Sequence, residues 1–399
     1  MRLPPQTDSP LVTDEPSTGA PHRPRLLYLV TEDWYFCSHR LPVARAARDA
    51  GAEVVVATRV TAHGAAIRAE GFRLVPLAWR RGSHAPLAEL RAILDIVSLY
   101  RRERPDLVHH VALKPVIYGS IAAWLAGVPH VVNALTGLGA LFIGSSARTR
   151  FLGALARAAL RPLLDRAGGR VILQNADDRR LLEERGLLRH DRVALIRGSG
   201  VDSGRFAPSP EPGGPPVAVL VGRMLRDKGV GEFVEAARLL KAHGVAVRMQ
   251  LAGPTDPDNP AAIDEATLRQ WHAEGIIDWL GPVADMPGLW AKAHIAVLPS
   301  YREGLPKALL EAAACGRPMI ATDVPGCREI VREGETGLLV PAKNAVALAD
   351  AIARLAGETA LRRRLGTRAR IVAEAEFAAD VVVRETLALY RGLLPRRLG

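Results

Sequence analysis

Short apolar runs separated by helical patterns make up the first half of the chain. The runs are RLLYLV, EVVVAT, FRLVPL, DLVHH, PHVVN, RVILQN and RVALIR, and the predicted helices end near Ala50 or span 62–70, 86–104, 145–166 and 176–185. Each run is apolar throughout, which is typical of strands in a parallel sheet that helices cover on both faces. The pattern predicts an α/β, doubly wound domain over residues 25–208.

The same alternation restarts after a stretch dense in proline and glycine, SPEPGGPP, which predicts a linker at residues 209–216. The later runs are VAVLVG, VRMQLAG, GIIDWLG, HIAVLP and PMIAT, with predicted helices at 229–243, 260–274, 285–292 and 306–315. We therefore expect a second Rossmann-like domain at 217–378, facing the first across a cleft. A helix in 379–399 is expected to cross back to the first domain. Ligands bind at the carboxyl ends of such sheets.

The ends and the cysteines of the chain bear on where it acts. Residues 1–24 lack the apolar core of a signal peptide and are rich in proline, threonine and aspartate, so they predict a disordered leader. No run of 18 apolar residues occurs, so no membrane span is expected. Cys37, Cys315 and Cys327 have neither a pairing pattern nor metal-ligand spacing. These features favour the reducing cytoplasm and a protein without a metal site.

The formal net charge of +11 has several explanations. Nucleic acid, an anionic membrane surface and acidic substrates would each attract such a protein. A plain bias in residue usage explains it equally well, because arginine is abundant everywhere. Lysine, in contrast, occurs only at 114, 228, 241, 292, 307 and 343. No interleaving of aromatic and basic residues and no helix-turn-helix pattern is present, so nucleic acid is disfavoured.

The segment GRMLRDKG, residues 222–229, follows one predicted strand and precedes a helix. Gly222 allows a sharp turn, Arg223 offers a fork of donors for phosphate oxygens, and Lys228 supplies a second charge. Together they would neutralise a diphosphate. A Walker loop is excluded, since the lysine precedes the glycine and no hydroxyl residue follows. Taken alone, the segment also fits a surface turn with two incidental basic residues.

Two glutamates flank the start of a later predicted helix, within SYREGLPKALLEAAACGRP at residues 300–318. Pro306 suits the first turn and Gly316 the end of this helix, which places Glu303 in the preceding loop and Glu311 inside the helix. Carboxylates here can accept hydrogen bonds from sugar hydroxyls. Alternatively, Glu303 is a capping residue and Glu311 is solvated.

In order and spacing these two segments resemble the family 4 glycosyltransferases of GT-B fold, and the resemblance extends over nearly all of residues 25–392. It implies a retaining enzyme that uses no metal or cofactor. By the same resemblance, Arg223 and Lys228 bind the donor diphosphate, Glu303 contacts the transferred sugar and Glu311 holds the ribose. Further substrate-contacting positions in the matching motifs are Gly222, Gly304, Leu305 and Pro306.

The first half resembles a subgroup that extends undecaprenyl-diphosphate-linked sugars, through EDWYFCSHR, HHVALKPVIYGSIAA and NALTGLGALF. The resemblance favours a UDP-sugar donor, such as a UDP-N-acetylhexosamine, and a lipid-linked saccharide acceptor in surface polysaccharide or lipopolysaccharide assembly. A GDP-sugar, a soluble acceptor and a basic binding module without catalysis remain alternatives. A dehydrogenase is disfavoured, because no glycine-rich fingerprint follows the first strand.

Several residues of the first half are candidates for the cleft. His109 and His110 end a predicted strand, and one of them is expected to face the donor sugar. Lys114 is a candidate for the acceptor diphosphate, and Asn133 for a substrate contact. Many relatives carry a glycine pair after the first strand, where this chain has other residues, and Asp33 is a candidate there. Buried histidines and solvated side chains are the alternatives.

Contact with an anionic membrane surface is suggested by residues 145–169. Arg150, Arg157 and Arg161 recur at helical spacing, while Leu152, Leu155 and Leu163 lie largely elsewhere. Such a basic amphipathic helix can lie on anionic lipid, although an ordinary surface helix has the same pattern. It would place the enzyme peripherally on the inner face of the plasma membrane.

Overall fold

The computed structural model describes residues 23–79, 86–137, 161–257, 259–394 and 398. Nearly all of the predicted leader at 1–24 and most of the predicted amphipathic segment at 145–169 lie outside these residues. The described part contains a seven-stranded sheet and a six-stranded sheet. Every strand pairing in both is parallel, as the uninterrupted apolar runs predict.

Both sheets have a doubly wound strand order. The first sheet comprises β1 (Arg25–Glu32), β2 (Glu53–Arg59), β3 (Arg73–Pro76), β4 (Leu107–Val111), β5 (His130–Leu135), β6 (Gly169–Leu173) and β7 (Val193–Leu195), in the order β3-β2-β1-β4-β5-β6-β7. The second comprises β8 (Val217–Val221), β9 (Arg248–Ala252), β10 (Asp278–Trp279), β11 (Ile295–Leu298), β12 (Met319–Thr322) and β13 (Gly337–Val340), in the order β10-β9-β8-β11-β12-β13. The direction in which successive strands are added reverses at β1/β4 in the first sheet and at β8/β11 in the second. These are the switch points where such sheets bind ligands.

Helices cover both sheets. Those of the first half are α1 (Asp33–His39), α2 (Leu41–Asp49), α3 (Gly64–Ala69), α4 (Pro86–Glu103), α5 (Leu113–Ala126) and α6 (Ala176–Glu184). Those that follow are α7 (Val230–Ala242), α8 (Glu265–Ala273), α9 (Met286–Lys292), α10 (Lys307–Ala314), α11 (Cys327–Ile330), α12 (Ala345–Gly357), α13 (Thr359–Glu376) and α14 (Ala379–Leu393). Short 3₁₀ turns occupy His190–Arg192 and Arg226–Lys228. The prediction of two Rossmann-like domains is confirmed.

Element boundaries differ from the predictions where local chemistry intervenes. The single helix predicted up to Ala50 is two helices, because Arg40 leaves helical geometry with φ of −124° and Pro42 lies in the first turn of the second helix. The helix predicted over 260–274 begins at Glu265, since the Asp264 side chain accepts a hydrogen bond from the Thr267 amide at 2.8 Å and caps it.

Alternate residues of each central strand enter different cores. Leu26, Tyr28 and Val30 of β1 pack into one cluster with α2 and α14, whereas Leu27 and Leu29 pack into another with α4 and α5. This is the period of two expected of a strand that is buried on both faces. The second sheet likewise has one cluster on each face.

The last helix crosses from the second half to the first. The strand-like bridge between Val201 and Ala378 precedes α14, which then packs against α2. The Tyr390 hydroxyl is buried there and bonds to the Tyr28 hydroxyl at 3.0 Å. The segment that precedes the second sheet is held by the second half, since Glu211 forms a 3.0 Å ion pair with Arg362.

Candidate active site

Two loops meet at the carboxyl edge of the second sheet, one from β8 and one from β11. The hydroxyl of Ser300 and the amide of Tyr301 both donate to the Asp227 carbonyl, at 3.1 and 2.9 Å. Gly229 has φ of +72°, and a Cβ on it would lie 2.1 Å from the Pro299 carbonyl oxygen. Only glycine fits this close approach, so the turn after β8 lies directly against the loop after β11.

This arrangement brings two of the predicted residues into contact. Lys228 ends the 3₁₀ turn, and its Nζ lies 2.5 Å from Oε1 of Glu303, which stands in the loop before α10. The Glu303 side chain is 10% exposed and that of Lys228 is 22% exposed. The ion pair is thus mostly buried, and about a fifth of the Lys228 side chain is open to solvent. A capping role for Glu303 is not what the structure shows, because Pro306 is the N-cap residue and has no side-chain partner.

Arg223 stands at the same edge of the sheet, directly after β8. Its guanidinium forms a close ion pair with Asp256, a residue that the sequence reasoning did not single out. The carboxylate belongs to the loop after β9, so its place beyond a buried strand was the available signal. Gly222 directly follows β8, and its carbonyl oxygen lies 1.8 Å from where a Cβ on Gly253 would be. The backbone of this turn is therefore closely packed.

Glu311 lies inside α10 and is buried, so it is not a solvated helix residue. Burial raises the pKa of its carboxyl, while the neighbouring charges of Lys307 and Arg205 act in the opposite direction. Lys307 Nζ lies 3.8 Å from the Glu311 carboxylate, and burial lowers the pKa of this lysine. Lys307 also donates to the carbonyl and the hydroxyl of Ser38 in the first half, at 2.9 and 3.0 Å.

The loop between the two glutamates lies against the first half of the chain. A Cβ on Gly304 would lie 2.2 Å from the Thr136 carbonyl oxygen. The Gly304 carbonyl accepts a 2.9 Å hydrogen bond from the Asn175 side chain. Leu305 packs so closely that its Cδ2 lies 2.7 Å from where a Cβ on Gly198 would be. Gly304 and Leu305 therefore contact the first half of the chain.

His109 and His110 are both buried, since β4 continues to Val111 and both lie within the strand. The His109 ring stacks on Tyr28 at 5.2 Å and bonds through Nδ1 to the Tyr390 hydroxyl. Burial, with the charge of Arg40, holds the pKa of His109 well below its usual range. Neither ring faces the cleft in this structure, which differs from the expectation.

The partners of His110 are also buried. Its Nδ1 lies 2.7 Å from the Asn133 side-chain oxygen, and its Nε2 lies 2.9 Å from the Tyr100 hydroxyl. Burial lowers the pKa of His110 to about 4, although the Asn133 bond acts in the opposite direction. Asn133 also accepts from Ser120 at 3.2 Å. This candidate substrate contact is therefore engaged inside the core.

Asp33 is buried and holds the loop after β2. It accepts hydrogen bonds from the amides of Thr61, Ala62 and His63 at 2.8, 3.0 and 2.7 Å, and from the Thr61 hydroxyl at 2.6 Å. Burial alone would raise the pKa of its carboxyl, but these bonds lower it to about 2. The candidate role at the acceptor differs from this placement, in which the carboxylate organises a loop.

Lys114 lies at a cavity of about 360 Å³ beside α4 and α5. Its Nζ is 2.9 Å from the Glu89 carboxylate and 5.2 Å from the centre of the Tyr118 ring. Trp79 also lines the cavity, and its indole donates to the Thr31 carbonyl at the end of β1 at 3.3 Å. The cavity thus lies at the carboxyl edge of the first sheet, and Lys114 is reachable there.

The described residues contain neither a metal-binding cluster nor a membrane-spanning helix. No three histidine, cysteine, aspartate or glutamate side chains among them are grouped as a metal site requires. None of their helices has the length and the apolar character that crossing a membrane requires.

Comparison with known proteins gives matches to both halves. Residues 215–358 match the family model "Glycosyl transferases group 1", and residues 25–167 match "Glycosyl transferase 4-like". One relative is the N,N'-diacetylbacillosaminyl-diphospho-undecaprenol alpha-1,3-N-acetylgalactosaminyltransferase of Campylobacter jejuni. It is 26% identical over 364 residues, which are 88% of this chain and 94% of the relative.

Solved structures give the same fold. A glycosyltransferase of Rickettsia africae superposes with a TM-score of 0.76 at 18% identity, over 94% of this chain and all of that one. The Anabaena protein HepE, solved in complex with UDP, superposes with a TM-score of 0.74 at 18% identity, over 92% and 100%. The two sheets, the matches to both halves and the paired lysine and glutamate agree: the chain belongs to the family 4 glycosyltransferases and has the GT-B fold.

Proposed function

We propose that this glycosyltransferase moves a sugar from a UDP-sugar, such as a UDP-N-acetylhexosamine, to an undecaprenyl-diphosphate-linked saccharide, with retention and without a metal. The observation that carries the proposal is the contact between Lys228 and Glu303 at the switch point of the second sheet, with Arg223 on the same edge. A cation for phosphate and a carboxylate for hydroxyls stand side by side there. A nucleotide-sugar has both the phosphate and the hydroxyl groups close together, because its sugar is bonded directly to the diphosphate.

The charge at this edge supports a metal-independent transfer. Lys228 and Arg223 supply the positive charge that a leaving diphosphate requires, and α7, which starts at Val230, points unpaired amides from its first turn toward the same turn. Their carboxylate partners Glu303 and Asp256 hold these cations in place before the donor arrives. The β-phosphate oxygen that departs takes the acceptor proton on the same face of the sugar, so the protein needs only to position and stabilise.

Glu303 and Glu311 have different parts in the proposal. Glu303 stands next to the phosphate-binding lysine and accepts hydrogen bonds from the transferred sugar. Glu311 is deeper, and its buried carboxylate is suited to the ribose hydroxyls. Pro306 caps α10 between the two glutamates, and Gly222 lies in the close-packed turn after β8.

The lipid-linked acceptor is supported by the Campylobacter jejuni relative, whose name specifies an undecaprenyl-diphosphate substrate and which matches most of both chains. An exposed apolar face of α4 also supports binding to a membrane surface. Leu87, Leu90 and Leu94 of α4 are 83%, 54% and 55% exposed, and their spacing puts them on one helical face. With the predicted basic segment at 145–169, this face would bind the enzyme peripherally to anionic lipid on the cytoplasmic side.

The proposal is tested with a panel of UDP- and GDP-sugars and of undecaprenyl-diphosphate saccharides, with and without a chelator. We expect one UDP-sugar to give nucleotide release and a product heavier by one sugar, at an unchanged rate in the chelator. The anomeric configuration of the product, read by NMR, should match that of the donor. Turnover with GDP-sugars alone would contradict the assignment of a UDP-sugar donor. Loss of activity in the chelator would contradict the metal-free mechanism.

Membrane contact is tested by co-sedimentation with vesicles that contain an anionic phospholipid. The double variant Leu87→Ser/Leu90→Ser should reduce the fraction of protein bound to the vesicles. Charge reversal of Arg150, Arg157 and Arg161 should reduce it as well. Val346→Ser is the matched control, because Val346 is equally exposed on the second half. Equal binding of all variants at low salt argues against the membrane surface as a partner.

A further inference from the structure

The loop after β6 in the first half reaches the loop of Glu303 in the second. Asn175 is buried and caps α6 by accepting from the Asp178 amide at 2.7 Å. Its side-chain amide donates to the Gly304 carbonyl at 2.9 Å and to the Asp178 carboxylate at 3.0 Å. One capping residue thus binds both its own helix and the backbone directly after Glu303.

Asp178 holds the other side of the same glutamate. Its carboxylate accepts from the Arg302 guanidinium at 2.7 Å, and its side chain is only 3% exposed. Arg302 directly precedes Glu303, and Gly304 directly follows it. The residues on both sides of Glu303 are therefore held by two neighbouring side chains of the first half.

We propose that Asp178 and Asn175 are positioning residues for glycosyl transfer, which set the place of Glu303 through Arg302 and Gly304. The inference rests on the proposed function, in which Glu303 contacts the transferred sugar. Because these contacts join the two halves, the glutamate is held in place only while the halves are together. Lys228 and Arg223 belong to the second half alone, so binding of the nucleotide does not depend on Asp178.

A neighbouring ion pair provides a matched control. Asp177 and Arg328 also bridge the halves, with 3.1 Å between their side chains, but both are substantially exposed and neither adjoins Glu303 in sequence. Exposed pairs contribute little to stability, whereas removing one partner of a buried pair leaves a charge without compensation. Asp177→Asn therefore breaks a bridge between the halves without altering the support of Glu303.

The test measures three variants: Asp178→Asn, Arg302→Gln and the double variant Asp178→Asn/Arg302→Gln. Asp177→Asn is the control, and all are assayed with the donor and acceptor found for the wild type. We expect kcat to fall about tenfold or more in each of the first three, with the double variant no worse than either single one, because both remove one interaction. The Kd for UDP should stay within about twofold of the wild type, since tenfold needs 1.4 kcal/mol of lost binding. Asp177→Asn should keep the wild-type kcat.

A second readout does not depend on turnover or on a single variant. Hydrogen exchange of the amides at 300–305 in the UDP-bound enzyme should become faster in Asp178→Asn and Arg302→Gln, and stay as in the wild type in Asp177→Asn. Unchanged exchange there overturns the inference, as does a wild-type kcat in Asp178→Asn. If the wild type itself transfers no sugar, the proposed function fails while the exchange result still decides the positioning role.

Discussion

The two switch points of the molecule have the same topology, but their polar residues lie in different surroundings. At β8/β11 the charged residues follow the strands, in loops, and Lys228 meets Glu303 at the surface of the cleft. At β1/β4 the polar candidates lie inside β4 or at the first residue of α1. His109 and His110 are in β4, and Asp33 is buried beneath the loop that it holds.

This difference separates residues that can meet a substrate from residues that hold the scaffold. A side chain within a strand of a sheet covered on both faces is in a core, whatever its polarity, and must find partners there. A side chain beyond the strand end lies at the edge where ligands bind and can meet one, unless it is buried by hydrogen bonds of its own, as Asp33 is. The comparison predicts that changes at the second switch point affect turnover and that changes at the first affect stability.

The largest effect is expected from Lys228→Ala. Removing one charge at the leaving diphosphate should lower kcat by about 10³-fold, as the loss of a preorganised donor does in other enzymes. The free energy of unfolding should also fall, because Glu303 is only 10% exposed and would lose its partner. Arg248→Ala is the control, since it breaks an exposed 2.7 Å pair with Asp278 in the same half. Near-normal turnover of Lys228→Ala would sink the site assignment.

Asp33→Ala should have its main effect on stability. Three loop amides and a hydroxyl would lose a charged acceptor, which we expect to cost about 3 kcal/mol of unfolding free energy in a urea titration. Asp49→Ala removes an exposed aspartate of the same half and should cost far less. A raised KM for the acceptor at unchanged stability would instead indicate that Asp33 faces substrate.

Gly304→Ala tests the contact between the switch points. The new methyl group would lie 2.2 Å from the Thr136 carbonyl, so the halves must separate or the Glu303 loop must move. We expect kcat to fall roughly 50-fold, because small misplacements at a reacting centre cost about 10²-fold. Gly231→Ala, where nothing lies within 4 Å of the new methyl, is the control. Equal rates for the two variants would show that the contact does not matter.

The smallest effect is a pH dependence from His110. Its pKa is about 4 in the fold against 6.5 without perturbation, so the unfolded chain binds more protons between these values. The free energy of unfolding therefore falls as the pH is lowered toward 4, by about 1 kcal/mol between pH 6.5 and pH 5.5. His110→Gln should flatten this dependence, whereas replacement of the exposed His190 should not. A stability that is level over this range argues against a buried neutral histidine.

Much of the fold could be read from the sequence because its strands are uninterrupted apolar runs, whose type and parallel pairing follow from burial on both faces. Arg40, which breaks a predicted helix in two, and β13, which has only four residues, could not be placed, since neither has a periodic signal. Boundaries depended on single capping side chains such as Asp264.

The site was predictable to different degrees in its two parts. Lys228 and Glu303 lie 75 positions apart, yet each follows a strand, so topology alone brings them to one edge. Asp256 and Asp178 could not be assigned, because their partners Arg223 and Arg302 are set by tertiary packing and by no spacing in the sequence. The burial of His109 and His110 differs from the expectation for a simpler reason: β4 ends at Val111, one residue beyond the predicted end at His110.

The most direct test of the central claim is a calorimetric titration of UDP into three proteins. They are the wild type, the double variant Arg223→Ala/Lys228→Ala, and Lys114→Ala at the edge of the first sheet. With two charge-assisted bonds lost, the Kd of the double variant should rise about 100-fold or more. That of Lys114→Ala should stay at the wild-type value. Wild-type affinity in the double variant, or a loss confined to Lys114→Ala, would contradict the assignment of the nucleotide diphosphate to the second switch point.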